Sequence, residues 1–125
     1  MRNLTLAICV ALGGLGLIGC GGVDAVGQCK DLVSTTCSRV YECYDAATKA
    51  SAPFVAQYGA SQSECNSKLQ STSCANISND KPCTDSSKKY SADKASACVG
   101  DLKAASCATI TGGTFNSDNC NNVCM

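Results

Sequence analysis

The chain has 125 residues, ten Lys plus Arg against ten Asp plus Glu, no His, no Trp, 12 Cys and a mean hydropathy of +0.02. Without histidine, Ser-His-Asp and Cys-His catalysis are excluded, and a formal net charge of zero carried by dispersed lysines offers no basic stripe to a nucleic-acid backbone. Leu, Ile, Val and Phe supply only 14 of the 106 residues from Cys20 onward. Chains below about 20% in these residues drift toward disorder unless something other than an apolar interior holds them.

Arg2 precedes an uncharged apolar run from Leu4 to Ile18, too short to cross a bilayer comfortably and followed by glycines rather than a basic flank. That is the form of a cleavable signal. The run closes on Leu17-Ile18-Gly19-Cys20, which reads as the lipobox of a bacterial lipoprotein. Residues 1–19 are then a signal peptide, and the Cys20 thiol takes a diacylglycerol. The amino group freed by cleavage is usually acylated too. Residues 20–27 form a short, glycine-rich lipidated tether to the membrane. One acyl chain gives marginal membrane residence, whereas two or three make the anchor stable. The alternative is an ordinary secretory signal cut near Ala25, with Cys20 discarded. Gly21 is not the Asp that retains some lipoproteins at the inner membrane, so the expected location is the outer membrane, facing the periplasm or the exterior.

The remaining cysteine-rich domain spans residues 28–125. With Cys9 lost in the signal and Cys20 lipidated, ten cysteines remain: Cys29, Cys37, Cys43, Cys65, Cys74, Cys83, Cys98, Cys107, Cys120 and Cys124. An even set spread through an exported domain reads as a disulfide framework, with the pairing left open. No metal is expected, since His is absent and no close Cys-x2-Cys pair supplies zinc-ligand spacing.

In chain order, Val26, Cys29, Val33, Thr36, Val40, Cys43 and Ala47 recur at steps of three and four and predict one long first helix. Its three cysteines lie at least six residues apart, about 9 Å of rise, so each must bond another element. Pro53 suits the first turn of a short helix ending at Gly59. Ser61-x-x-Glu64 has the form of a capping box, and Ser91 with Asp93 marks another helix start. Residues 78–90 and 111–119 read as loops, the first anchored by Cys83. Cys120 and Cys124 stand one turn apart and can face the same neighbour.

Residues 61–77 align without a gap on residues 94–110, sharing Ser63/Ser96, Cys65/Cys98, Leu69/Leu102, Ser73/Ser106, Cys74/Cys107, Ala75/Ala108 and Ile77/Ile110. Both contain C-x3-L-x4-C, and a looser version occurs at Cys29, Leu32 and Cys37. Abundant Ser, Ala and Cys account for some of these identities, yet three related helical units is the reading preferred. The fold class expected is all-α: a small disulfide-stapled bundle of three main helices plus short ones.

Cys37-x-Arg39-x3-Cys43, followed by Ser63-Glu64-Cys65, Leu69, Cys74, Tyr90, Cys98, Leu102, Cys107 and a final Cys120-x3-Cys124, resembles the small cysteine-rich lipoproteins of myxobacterial type. The resemblance covers nearly all of the mature chain. It implies export and a helical fold, and no activity is assigned to those proteins. The adjacent Cys-Cys and Cys-x-Cys of plant lipid-transfer proteins are missing.

Glu42, Asp45, Glu64 and Asp101 are the carboxylates on helical patterns, and solvated surface is the reading for each. Arg39 and Glu42 form an exposed i,i+3 pair. Tyr41, Tyr44, Tyr58 and Tyr90 read as half-buried fillers. No catalytic group and no cofactor is expected. The function expected is therefore a non-enzymatic, lipid-anchored envelope or surface protein presenting a rigid helical face to another protein or an extracellular polymer, with no nucleic-acid partner. The alternative is a small-ligand or lipid carrier with an apolar cavity between helices.

Overall fold

The computed structural model describes residues 23–125, so the expected signal segment 1–19 and the expected lipidation position Cys20 lie outside the described residues. Seven helices follow in order: α1 (Ala25–Cys43), α2 (Ala46–Lys49), α3 (Ala52–Tyr58), α4 (Gln62–Ser73), α5 (Ala92–Ala104), α6 (Cys107–Thr111) and α7 (Asp118–Asn121). The fold is all-α, and among the described residues the sole β feature is one antiparallel bridge between Tyr90 and Cys124.

α1 is the central strut. α4, α5 and α6 pack on it, α7 packs on α5, and α3 packs on α4. Asp24 caps its start, accepting from the Gly27 amide at 2.9 Å. The helix ends at Cys43 rather than running through Ala47. Tyr44 turns extended, and the Asp45 carboxylate accepts from the Thr48 amide at 2.7 Å to begin α2. An N-cap bond thus overrides an apolar stripe that continues only by coincidence of spacing.

Five disulfides take up all ten cysteines of the domain. Cys29–Cys74 and Cys37–Cys65 join α1 to α4. Eight residues of α1 and nine of α4 separate the two rungs, about 12 and 14 Å of rise, so the helices run antiparallel and are pinned at two heights. Cys43–Cys107 ties α1 to α6, Cys98–Cys120 ties α5 to α7, and Cys83–Cys124 ties the loop to the C-terminal segment.

The interior is sulfur-built. Its largest fully buried side chains are those of Cys37, Cys65 and Cys98, and the main cluster joins Val33, Cys37, Cys65 and Cys74, flanked by Cys29, Tyr41, Tyr58 and Leu69. A second, aromatic contact fixes α3: Phe54, 5% exposed, is met edge-on by Tyr41 and Tyr44 and at a tilt by Tyr58. Gly59 closes α3 at φ +88°, where an added Cβ would sit 2.7 Å from that of Glu64, and its carbonyl accepts from the Tyr41 hydroxyl at 2.6 Å.

Four further sequence expectations are corrected. Cys120 and Cys124 do not face one neighbour: α7 stops at Asn121, so the chain turns between them, and they bond Cys98 and Cys83 respectively. The 33-residue repeat holds through its first half only, with Cys65 and Leu69 on α4 matching Cys98 and Leu102 on α5. Cys74 closes α4, whereas its counterpart Cys107 opens α6 after a break at Ala105–Ser106, where Ser106 caps by accepting from the Thr109 amide at 3.2 Å. α6 and α7 together shorten the predicted 111–119 loop to residues 112–117. The capping box holds only in its forward arm: Glu64 N–H donates to Ser61 Oγ at 3.2 Å, but the carboxylate reaches back to the Ala60 amide at 2.7 Å.

Candidate functional site

α1 presents two unlike surfaces on either side of the line along which α5 packs. Asp31, Ser34, Thr35, Ser38 and Arg39 follow one another at steps of three and one, which places them on one helical face. With Gln62 at the start of α4 and Val99 and Lys103 on α5, they line a cleft of about 420 Å³. Threonine and serine in a helix often satisfy their hydroxyls on the carbonyl four residues back, as Thr36 does on Leu32 at 2.9 Å. In the cleft, Ser34, Thr35, Ser38, Gln62, Asp31 and Lys103 engage no side-chain hydrogen bond among the described residues, and their donors and acceptors are uncommitted.

Arg39 forms one wall. Its guanidinium donates to Glu42 at 2.5 Å and to the Ala105 carbonyl at 2.5 Å, and its Nε is buried with no partner. The pair with Glu42 expected from spacing is present, but the arginine side chain is only 15% exposed against 61% for the glutamate. Arg39 is therefore a strut: it holds the carbonyl freed where α5 breaks, linking α1 to α5 and α6.

The second surface is apolar. A hollow of about 170 Å³ at the start of α1 is lined by Ala25, Cys29, Leu32, Ile77, Pro82, Tyr90, Ala95 and Val123. Another of about 320 Å³ is lined by Leu32, Thr36, Val40, Tyr58, Cys98, Leu102, Ile110 and Phe115. Leu32 is common to both, so the two hollows meet across it along the α1–α5 seam.

The carboxylates singled out in sequence are structural as well as solvated. Asp45 caps α2, and hydrogen bonds from Thr48 hold its carboxyl below the usual value. Asp101 accepts from Ser117 at 2.5 Å and Asn119 at 2.9 Å, bonds that lower its carboxyl too, and Lys94 donates to Asn119 at 3.0 Å. This network fastens α7 to α5. Glu64 closes the turn before α4, and Glu42 pairs with Arg39. Tyr41, Tyr44 and Tyr58 pack on Phe54, while Tyr90 donates to Gln28, whose amide donates to Ser96 at 3.1 Å. Burial raises the Tyr41 hydroxyl, helped by the Glu64 carboxylate, and burial likewise raises Tyr58 and Tyr90.

No free cysteine and no group of three or more metal-ligating side chains occurs among the described residues, and no helix there is long and apolar enough to cross a membrane. Five bridges of this kind belong to an oxidising, extracytoplasmic compartment. Sequence reading missed both surfaces. The polar cleft had a signal in the Asp31-Ser34-Thr35-Ser38-Arg39 periodicity, whereas the apolar hollows depend on which helices flank α1. No known protein family, no curated protein and no solved structure matches the chain.

Proposed function

We propose that the chain is a non-enzymatic envelope protein, anchored by lipid at Cys20 and related in type to the small cysteine-rich lipoproteins, that presents the α1–α4–α5 cleft to a hydroxyl-bearing extracellular polymer. The uncommitted polar side chains of the cleft carry this reading. Three hydroxyls, an amide, an acid and an amine with free hydrogen-bonding capacity suit a neutral or weakly charged polyol. The stapled scaffold fixes the backbone that carries them, so the ordering cost at binding is confined to the side chains. The outer membrane is the proposed site, from the lipobox and Gly21.

Titration of the protein with envelope polysaccharide, followed by amide NMR, tests the reading. Shifts should cluster at Thr35, Val99 and Lys103, and Ser34→Ala with Ser38→Ala should weaken binding about tenfold, the loss of one or two net hydrogen bonds. Shifts absent from these positions, or a partner protein occupying another face, overturn it. Labelling with a radiolabelled fatty acid tests the anchor: incorporation should vanish in Cys20→Ala.

A second reading, carriage of a small apolar ligand, is favoured by the hollows of about 170 and 320 Å³. Together they reach only the lower part of the range of about 300–1,000 Å³ usual for ligand pockets.

A further inference from the structure

The first apolar hollow lies at the end of the domain where the tether arrives, and the second continues from Leu32 along α1 toward Val40. Ala25, the first residue of α1 and 2% exposed, forms part of the first hollow's wall, and Cys20 stands five residues before it, a reach of at most about 18 Å. The chain is fixed at this point: Asp24 caps α1, and the Val26 amide donates to Asn79 Oδ1 at 3.2 Å, beside the Ile77–Pro82 segment that forms the opposite wall. The hollow is lined almost wholly by carbon and sulfur. At about 170 Å³ it is open to the surface and has room for a short stretch of hydrocarbon. Beyond Leu32 the second hollow continues the same surface.

We propose that this groove is the seat of one acyl chain carried by Cys20 itself. The inference rests on the lipid-anchor reading above. Membrane residence becomes stable with two chains, so a residue bearing three can yield one to the protein without losing the anchor. Groove and bilayer are both apolar, so methylene burial does not separate the two states, and what favours the seat is the short tether, which gives the chain a millimolar-scale effective concentration at the groove mouth. A chain held there clamps the α1 N-terminus to the bilayer surface and gives the domain one orientation.

The full-length lipidated protein in perdeuterated detergent tests this, because its acyl chains are then the only protonated alkyl groups outside the polypeptide. Intact mass first establishes acylation, and nuclear Overhauser contacts are then sought from chain methylenes to the Leu32, Ile77 and Val123 methyls. They should be present, and they should disappear in Ser73→Phe, which sets a ring over the first hollow from an exposed position. Added protonated palmitate should bind Cys20→Ser protein at these methyls and compete at least tenfold less well for the lipidated form. Acylation without the contacts overturns the groove assignment and leaves the anchor standing. A mass without acyl groups overturns both. Equal palmitate uptake by the two proteins shows a carrier site and overturns the self-seated chain.

Discussion

α1 meets α4 and α5 over comparable lengths, but the two seams are held by different means. Toward α4 the contact is covalent at two heights, Cys29–Cys74 and Cys37–Cys65, and the side chains between are mainly the sulfurs themselves with Val33 and Leu69. Toward α5 no bridge crosses directly. That seam relies on close packing of Ala95, Cys98 and Leu102, and on long polar side chains reaching from α1: Gln28 to Ser96 and Arg39 to the Ala105 carbonyl. Where sulfur pins the helices, few large apolar residues are needed. The seam lacking it recruits one buried leucine and side chain to main chain hydrogen bonds, and it is also the seam that carries both candidate surfaces.

The largest expected effect comes from removing all the bridges. In the chain-entropy account, sequence separations from 22 to 64 residues correspond to about 3.4 to 4.3 kcal/mol per bridge, so five rival the whole stability of an ordinary domain, about 5–15 kcal/mol. Mild reduction should therefore abolish the cooperative thermal transition seen by circular dichroism. An unchanged midpoint would mean that the α5 type of packing suffices alone.

Removing single bridges sharpens the contrast. Because loop length barely separates them, burial decides: Cys37 and Cys65 are both 0% exposed. Cys37→Ala with Cys65→Ala should lower stability by about 4–5 kcal/mol in urea unfolding, at the top of the range for a lost native bridge. Cys83→Ala with Cys124→Ala should cost less, about 2–3 kcal/mol, since it frees a loop and a terminal segment. The reverse order would refute the view that the α1–α4 rungs are the core.

On the other seam, Leu102→Ala should cost about 2–4 kcal/mol, the usual toll of a buried leucine, with bridges intact. Its loss should raise amide exchange across α5 and leave α4 protected. Gln28→Ala, which frees Tyr90 and Ser96 at a partly wet position, should cost about 1 kcal/mol by the same assay.

The sequence showed that sulfur rather than a greasy interior shapes this domain, because cysteine count and scarcity of Leu, Ile and Phe are read directly. Helix starts at Ser61 and Ser91 and the end at Gly59 were legible for the same reason: caps are local chemistry. What escaped was decided at a distance. Ser73 and Ser106 occupy equivalent positions in two stretches that share seven of seventeen residues, yet one lies inside α4 and the other caps α6. The difference lies in the Thr109 hydroxyl, 2.8 Å from Ser106 Oγ, and in Arg39, which captures the Ala105 carbonyl from 66 residues away. Asp45 was the exception, a local capping signal masked by an apolar stripe of the right period. The polar cleft was half legible, since its α1 residues share a face by spacing, but Val99, Lys103 and Gln62 join only through tertiary packing.

The smallest effect separates the seams by pH. Asp101 fastens α7 to α5, and hydrogen bonds from Ser117, then Asn119, hold its carboxyl below the ordinary value of 3.8. A depressed folded pKa contributes stability that is present above the unfolded value and lost as pH falls through the folded one. The α1–α4 rungs contain no titrating group. Lowering the pH from 6 to below about 3 should therefore raise amide exchange in α7 while α4 stays protected. Asp45 at the start of α2 and Asp85 in the loop are depressed in the same direction, by Thr48 and Ser87, so α2 and residues 85–87 should loosen alongside α7. Asp101→Asn should remove the pH dependence from α7 alone, leaving that at α2. Acid loosening of α4 together with α7 would show that the two seams share one cooperative unit, and that the sulfur ladder does not insulate its half of the fold.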